Sequence, residues 1–181
     1  RATYLDTSYE EWTYETTGSN APLLILQRDR NGNLSSFDYD LFGRKVSQVT
    51  AAGTLIASAE SWTYLAGNKS LPLSHTFNGD TTTYLYDERL RQIADISQAN
   101  TGTSLLSATS FDIADRRQTT TDPYGRISYF VYDTYYRQTR VVRELVAGGV
   151  PAGADIPTLL RITTANPPYV IQDTVYDLEG Q

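Results

Sequence analysis

Tyr39-Asp40-Leu41-Phe42-Gly43-Arg44 is the stretch whose reading decides the fold. An aromatic residue closes a run of alternating character, and the Asp after it can accept backbone hydrogen bonds. Two tolerant positions follow, then a Gly free to take positive φ and a basic residue five places after the aromatic. Together these describe a hairpin turn between two strands. The pattern recurs as Tyr86-Asp87 with Arg91, Phe111-Asp112 with Arg116, Tyr132-Asp133 with Arg137, and a last copy opening at Tyr176-Asp177. Two looser copies at Tyr14 and Tyr64 lack the Asp, but each follows a Trp-Thr pair, Trp12-Thr13 and Trp62-Thr63. The aromatic positions 14, 39, 64, 86, 111, 132 and 176 are separated by steps of 25, 25, 22, 25, 21 and 44 residues. A period of this length is the signature of a repeat architecture, here over the whole of residues 1–181.

A second set of turns lies between the first. Asp29-Arg30-Asn31-Gly32 and Asp122-Pro123-Tyr124-Gly125 are its clear members, with looser forms at Thr50-Ala51-Ala52-Gly53 and Asn78-Gly79. Each copy then holds two turns and two strands of roughly seven residues. The runs 33–39, 80–86 and 126–132 read as strands, and in Ile127-Ser128-Tyr129-Phe130-Val131-Tyr132 bulky residues on both faces predict a sheet partly covered on each side. A second aromatic stands two places before the first, as Phe37, Trp62, Tyr84 and Phe130. Residues two apart share a face, so these predict an aromatic ladder of cross-strand pairs.

Composition agrees. The 181 residues include 14 Tyr, 5 Phe and 2 Trp, a strand vocabulary, with 40% hydrophobic and 20% charged residues, a globular balance. A net charge of −6 with thinly spread basic residues argues against a nucleic-acid partner, which needs clustered Lys and Arg. No run of about 18 apolar residues is present to cross a membrane as a helix. With no Cys there is no disulfide and no thiolate metal site, and the absence of Met in a chain that opens at Arg1 and stops within a copy of the motif reads as a piece of something longer.

The unit seen whole at residues 39–44 resembles the RHS/YD repeat, and the resemblance covers most of the chain. It implies an all-β fold of tandem antiparallel β-hairpins forming a coiled, curved sheet strip, a segment of the shell found in insecticidal toxin complexes, bacterial polymorphic toxins and teneurin-like surface proteins. It implies a nonenzymatic structural role in a larger secreted or surface protein, with toxin-associated encapsulation as the first reading. The alternative is an extracellular adhesion module binding carbohydrate or a receptor through aromatic side chains. The expected partners are flanking repeats or further copies joined at sheet edges, an enclosed polypeptide, or a surface glycan or receptor, in an extracellular or cell-surface setting.

Two departures carry expectations of their own. Leu90, Asp115 and Tyr136 stand where the turn Gly belongs, and bulky residues at positive φ are disfavoured by roughly 1–2 kcal/mol, which predicts another geometry for those turns. The step of 44 is about two ordinary steps, so residues 146–168 are either a degenerate copy or an inserted loop excursion. Strands at 137–145, 158–164 and 169–176 make three where a copy supplies two, which favours the excursion.

No unique chemical constellation emerges. The repeated residues Tyr39, Asp40, Gly43, Arg44, Tyr86, Asp87, Arg91, Phe111, Asp112, Arg116, Tyr132, Asp133, Arg137, Tyr176 and Asp177 read as structural, because catalysis needs one constellation and not seven. In each copy the Asp caps its turn and the Arg reaches a carboxylate, carbonyl or aromatic face on the next strand. His75 is the lone histidine, with no second His or Cys to make a metal pair or relay. Asp29-Arg30-Asn31-Gly32-Asn33 offers oxygens, but its spacing does not suit an EF-hand calcium loop. No catalytic, cofactor or metal residue is assigned.

Overall fold

A computed structural model describes residues 1–4, 8–16, 22–67, 71–150 and 169–176. Every regular element among them is a strand, fourteen in all, and each is hydrogen-bonded to the next in chain order. The strands are β1 (Ala2–Thr3), β2 (Tyr9–Tyr14), β3 (Leu24–Arg28), β4 (Leu34–Tyr39), β5 (Lys45–Ala52), β6 (Ser58–Tyr64), β7 (Pro72–Phe77), β8 (Asp80–Tyr86), β9 (Gln92–Gln98), β10 (Ser104–Phe111), β11 (Arg117–Thr121), β12 (Ile127–Tyr132), β13 (Gln138–Glu144) and β14 (Tyr169–Asp173). The pairing is antiparallel, for example Trp12 opposite Gln27, Phe37 opposite Gln48 and Phe130 opposite Val141. The all-β hairpin fold expected from the repeat is the fold observed. Of the earlier strand reading, 158–164 lies outside the described residues, as do Asp177 and the greater part of the stretch 146–168.

Contacts divide the chain into two compact units. The first comprises Arg1–Tyr84 with Ser97–Thr103, the second Leu85–Ile96 with Ser104–Gln181. In the first, side chains of β6 alternate between half-buried and exposed at period two, placing Glu60, Trp62 and Tyr64 on one face and Ala59, Ser61 and Thr63 on the other. The Asn78-Gly79 turn between β7 and β8 has positive φ at both residues, 50° and 96°, the twist that a two-residue hairpin needs. In the second unit, Tyr129, Val131 and Val142 form a small buried cluster with Val150, and Ile127 and Ile171 pack at its margin. β12 is half-buried on its second face as well.

The aromatic ladder takes a different form. The ring pair in contact among the described residues is Trp62 with His75, centroids 5.2 Å apart and planes 14° from parallel. Elsewhere a cation sits where a second ring was expected. Lys45 Nζ lies 4.8 Å from the Trp62 ring centre and 5.9 Å from that of Phe37, and the Arg117 guanidinium lies 5.3 Å from Phe130. Lys45 opens β5 and Arg117 opens β11, each between two ring-bearing strands, so there the neighbour of a ring is a cation on the intervening strand.

Val142 is wholly buried, with 0% exposure, and Val175 is 90% exposed. Val142→Ala removes two buried methyl groups and is expected to cost about 2 kcal/mol in urea unfolding, while Val175→Ala changes stability by less than ~0.5 kcal/mol.

Candidate functional site: a repeated turn clasp

The five turns that begin at Asp40, Asp87, Asp112, Asp122 and Asp133 are built alike. The Asp N–H donates to the carbonyl of the Arg four places on at 2.8–3.0 Å, and the N–H three places on donates back to the Asp carbonyl at 2.9–3.1 Å. This is a three-residue hairpin loop whose last residue takes positive φ. The Asp side chain then closes it. One carboxylate oxygen accepts the N–H groups two and four places on at 2.8–3.0 Å, and the other accepts Arg Nε at 2.6–2.8 Å. We call this arrangement the clasp. Asp29 makes a version in which Asn33 replaces Arg, its backbone N–H and Nδ2 each 2.8 Å from a carboxylate oxygen.

Four of the five clasps aim their Arg at the aromatic of the next copy, while Arg126 lies 5.2 Å from the Tyr124 ring of its own turn. Arg44 lies 4.3 Å from the Tyr64 ring centre, Arg91 4.3 Å from Phe111, Arg116 4.9 Å from Tyr132 and Arg137 4.5 Å from Tyr176. The tyrosine hydroxyl completes the join by donating to the carbonyl just after that Arg, as in Tyr64 to Lys45 at 2.7 Å, Tyr132 to Arg117 at 2.9 Å and Tyr176 to Gln138 at 3.0 Å. Tyr39 donates in the same way to the Leu24 carbonyl, where Leu23 occupies the Arg position of a copy without Asp. Tyr86 ends β8 immediately before the clasp of Asp87 and Arg91. Of the residues singled out as a repeat, Arg91, Arg116 and Arg137 thus meet Phe111, Tyr132 and Tyr176 across copies, and Arg44 meets Tyr64 of a copy without Asp.

The expectation of another geometry at Leu90, Asp115 and Tyr136 is corrected. Their φ values are 61°, 62° and 66°, against 76° for Gly43, and the same hydrogen bonds close the turns. The fixed Asp carboxylate holds the loop at a φ that costs about 1–2 kcal/mol in isolation. In two cases the substitute side chain also reaches the Arg of the copy before. Asp115 Oδ1 accepts from Arg91 Nη1 at 2.7 Å and pairs with Arg89, and the Tyr136 ring centre lies 4.9 Å from Arg116. A Cβ placed on Gly43 would stand 3.7 Å from Leu23, so this position faces the preceding copy there too.

All these carboxyls are held below the ordinary carboxylate range. At Asp87 the Arg91 backbone N–H is the main cause, at Asp122 the Arg126 side chain, and at Asp29 the Asn33 side chain. At Asp40, Asp112 and Asp133 partial burial is the largest single influence and pushes upward, but the hydrogen bonds from the turn and the Arg together outweigh it.

The other candidates of the sequence are accounted for in the same terms. His75 stacks on Trp62, and its Nε2 lies 3.1 Å from Glu60 Oε2. No group of three or more His, Asp or Glu able to hold a metal occurs among the described residues. In the second unit an open groove of about 570 Å³ runs past Thr120, Asp122, Arg126, Ser128 and Arg143. Its Asp122 and Arg126 are already paired in a clasp. The sequence reading missed that Asp122 and Arg126 form the same clasp as Asp40 and Arg44. The identical spacing of four was the available signal, and it was hidden by expecting an aromatic ahead of the Asp.

Two outcomes follow. A carboxyl with a lowered folded-state pKa contributes fully above its unfolded value of about 3.9 and loses that contribution as pH falls through the folded value, so unfolding midpoints should hold from neutral pH to about 4 and drop below it. Asp87→Asn and Asp122→Asn should flatten that drop, as followed by circular dichroism across a pH series. Leu90→Gly relieves positive-φ strain at a half-exposed site and is expected to raise stability by up to ~1 kcal/mol in chemical unfolding, whereas Tyr136→Gly gains less because the Arg116 contact is lost.

Comparison with known proteins finds no family model and no curated protein that matches the sequence. Among solved structures, a TcdB2-TccC3 crystal structure without the hypervariable C-terminal region matches at a TM-score of 0.62 and 16% identity over 93% of this chain. TcdB2-TccC3-TEV matches at 0.61 and 17% over 93%, and a Photorhabdus luminescens Tc holotoxin pore at 0.59 and 16% over 78%. The chain spans only 7–8% of the length of these chains. At such identity the likeness is one of fold, and the fold shared is the all-β antiparallel hairpin fold expected from the repeat.

Proposed function

We propose that the chain is a stretch of wall in an RHS-type shell, a nonenzymatic part of a larger secreted protein whose sheet coils around a toxin-associated polypeptide. The observation that carries this reading is the clasp made alike in five turns, with the Arg of four of them resting on the aromatic of the next copy. A contact repeated from copy to copy propagates a sheet and singles out no copy for chemistry. The likeness in fold to the TcdB2-TccC3 structures supports the same role. In this reading the repeated Tyr, Asp and Arg residues are structural, and residues 146–168 are an inserted excursion. The unpaired edges of β1 and β14 meet flanking repeats of the same parent chain.

Electron microscopy of the full-length protein, with protease digestion of any enclosed polypeptide, tests the proposal. A closed shell with this sheet in its wall and a protected polypeptide within is expected. An open strip with a fully digestible partner would overturn it. Isolated residues 1–181 should associate through their raw edges, so sedimentation at rising concentration should show growing mass, and a monodisperse monomer would contradict the edge assignment.

A further inference from the structure

Thr120, Ser128, Arg143 and Val170 stand in direct register across β11, β12, β13 and β14. The row runs along the groove of about 570 Å³ in the second unit, a volume inside the range of roughly 300–1,000 Å³ usual for ligand sites. Its polar groups are unmet. Elsewhere in the sheet, hydroxyls that oppose one another in register bond to each other, Ser110 with Thr119 at 2.6 Å, Thr76 with Thr81 at 2.9 Å and Thr63 with Ser74 at 2.7 Å. Thr120 and Ser128 are opposed in the same way, yet neither hydroxyl has a hydrogen-bond partner among the described residues. Arg143 is exposed, and among the described residues it is the one Lys or Arg whose side chain has no ion pair, hydrogen bond or aromatic contact. The two carboxylates of the groove do not supply its partner. Asp122 uses both oxygens in its clasp, and Glu144, 5% exposed, accepts the Ile127 N–H on one oxygen and the Val150 N–H on the other, each at 2.8 Å.

We propose that this groove binds an extended acidic peptide, with one carboxylate of the peptide seated on the Arg143 guanidinium. A guanidinium presents parallel N–H donors that match the two oxygens of a carboxylate. The Thr120 and Ser128 hydroxyls can each donate and accept, which suits the N–H and C=O groups of a peptide backbone. Leu145 and Val170, 50% and 48% exposed, form an apolar wall for the side chain that follows the acidic one. From Thr120 to Val170 is three strand spacings of roughly 4.8 Å, about 14 Å in all, which about four extended residues span. Other anions fit less well. One unpaired cation answers one carboxylate and not a polyanion, which is held by clustered basic residues. No aromatic ring is among the described residues that line the groove, so a sugar ring has nothing to stack on.

Fluorescence anisotropy on the full chain tests the site, with a labelled peptide that carries serine, glutamate and leucine in that order as the probe. Saturable binding is expected, weakened tenfold or more by Arg143→Gln and about threefold by Ser128→Ala, with the circular dichroism of both variants unchanged. Replacing the glutamate of the peptide by glutamine leaves the protein untouched and should weaken binding as much as Arg143→Gln does. The two changes together should cost no more than either alone, because they remove the same contact. No saturable binding, a parent-like affinity in Arg143→Gln, or losses that add in the combination would overturn the proposal. Glucuronate serves as the competing probe and should leave the peptide bound. Displacement by an equal concentration of glucuronate would assign the groove to acidic sugars and overturn the peptide assignment.

Discussion

The Asp carboxylate inside the clasped hairpin turns is the constraint on which the rest of this structure depends. It accepts two backbone N–H groups with one oxygen and the Arg side chain with the other. The first pair fixes the loop, including the residue at positive φ. The second fixes the direction of the Arg. An Asp–Arg pair with side chains around 20–40% exposed adds little by Coulomb attraction alone, on the order of 0–1 kcal/mol. Its value lies in orientation, because a guanidinium held by its Nε presents a flat face, and that face meets the aromatic of the next copy. The tyrosine hydroxyl then ties the ring to the strand that carries the Arg, so one turn determines the position of the next.

How much of this could be read in the sequence follows from the range of each interaction. The Tyr-Asp spacing and the Arg four places after the Asp were legible because every bond in the clasp is local. Leu90, Asp115 and Tyr136 were misread for the complementary reason. The cost of positive φ is local and visible, whereas the compensating contacts of Asp115 with Arg91 and of Tyr136 with Arg116 come from the copy before. The cations between rings were missed because Lys45 follows directly on a clasp Arg and reads as part of the turn. Glu144 carried no sequence signal, since its two partners are backbone groups on β12 and beyond β13.

A turn between copies that lacks the Asp shows what the clasp contributes. The Ala99–Thr103 turn has the same backbone bonds, Ala99 N–H to the Thr103 carbonyl at 2.9 Å and Gly102 N–H to the Ala99 carbonyl at 2.8 Å, but no carboxylate of its own. Asp80, at the start of β8, supplies one by accepting the Asn100 N–H at 2.7 Å. Here the loop keeps Gly at its positive-φ position, with φ of 88° at Gly102. The three bulky residues at that position occur only in turns with a complete clasp, which is the distribution expected if the carboxylate bears the strain.

This division of labour explains how the sheet manages with so little interior. The described buried side chains are few, and those in a cluster gather on β12 and β13 with Val150. Elsewhere, Ala51 apart, the described faces of the sheet are half-buried at most, and hydrophobic burial at roughly 25 cal/mol per Å² contributes less there than in a closed core. Order then has to come from contacts that each copy makes with the next, the additive nearest-neighbour stability of repeat proteins. The clasp suits that role because its bonds are polar and edge-located, so they need no deep core to form. At the end of β13 a buried cluster and the Glu144 carboxylate, which accepts the Ile127 and Val150 N–H groups, serve in the same way among the described residues.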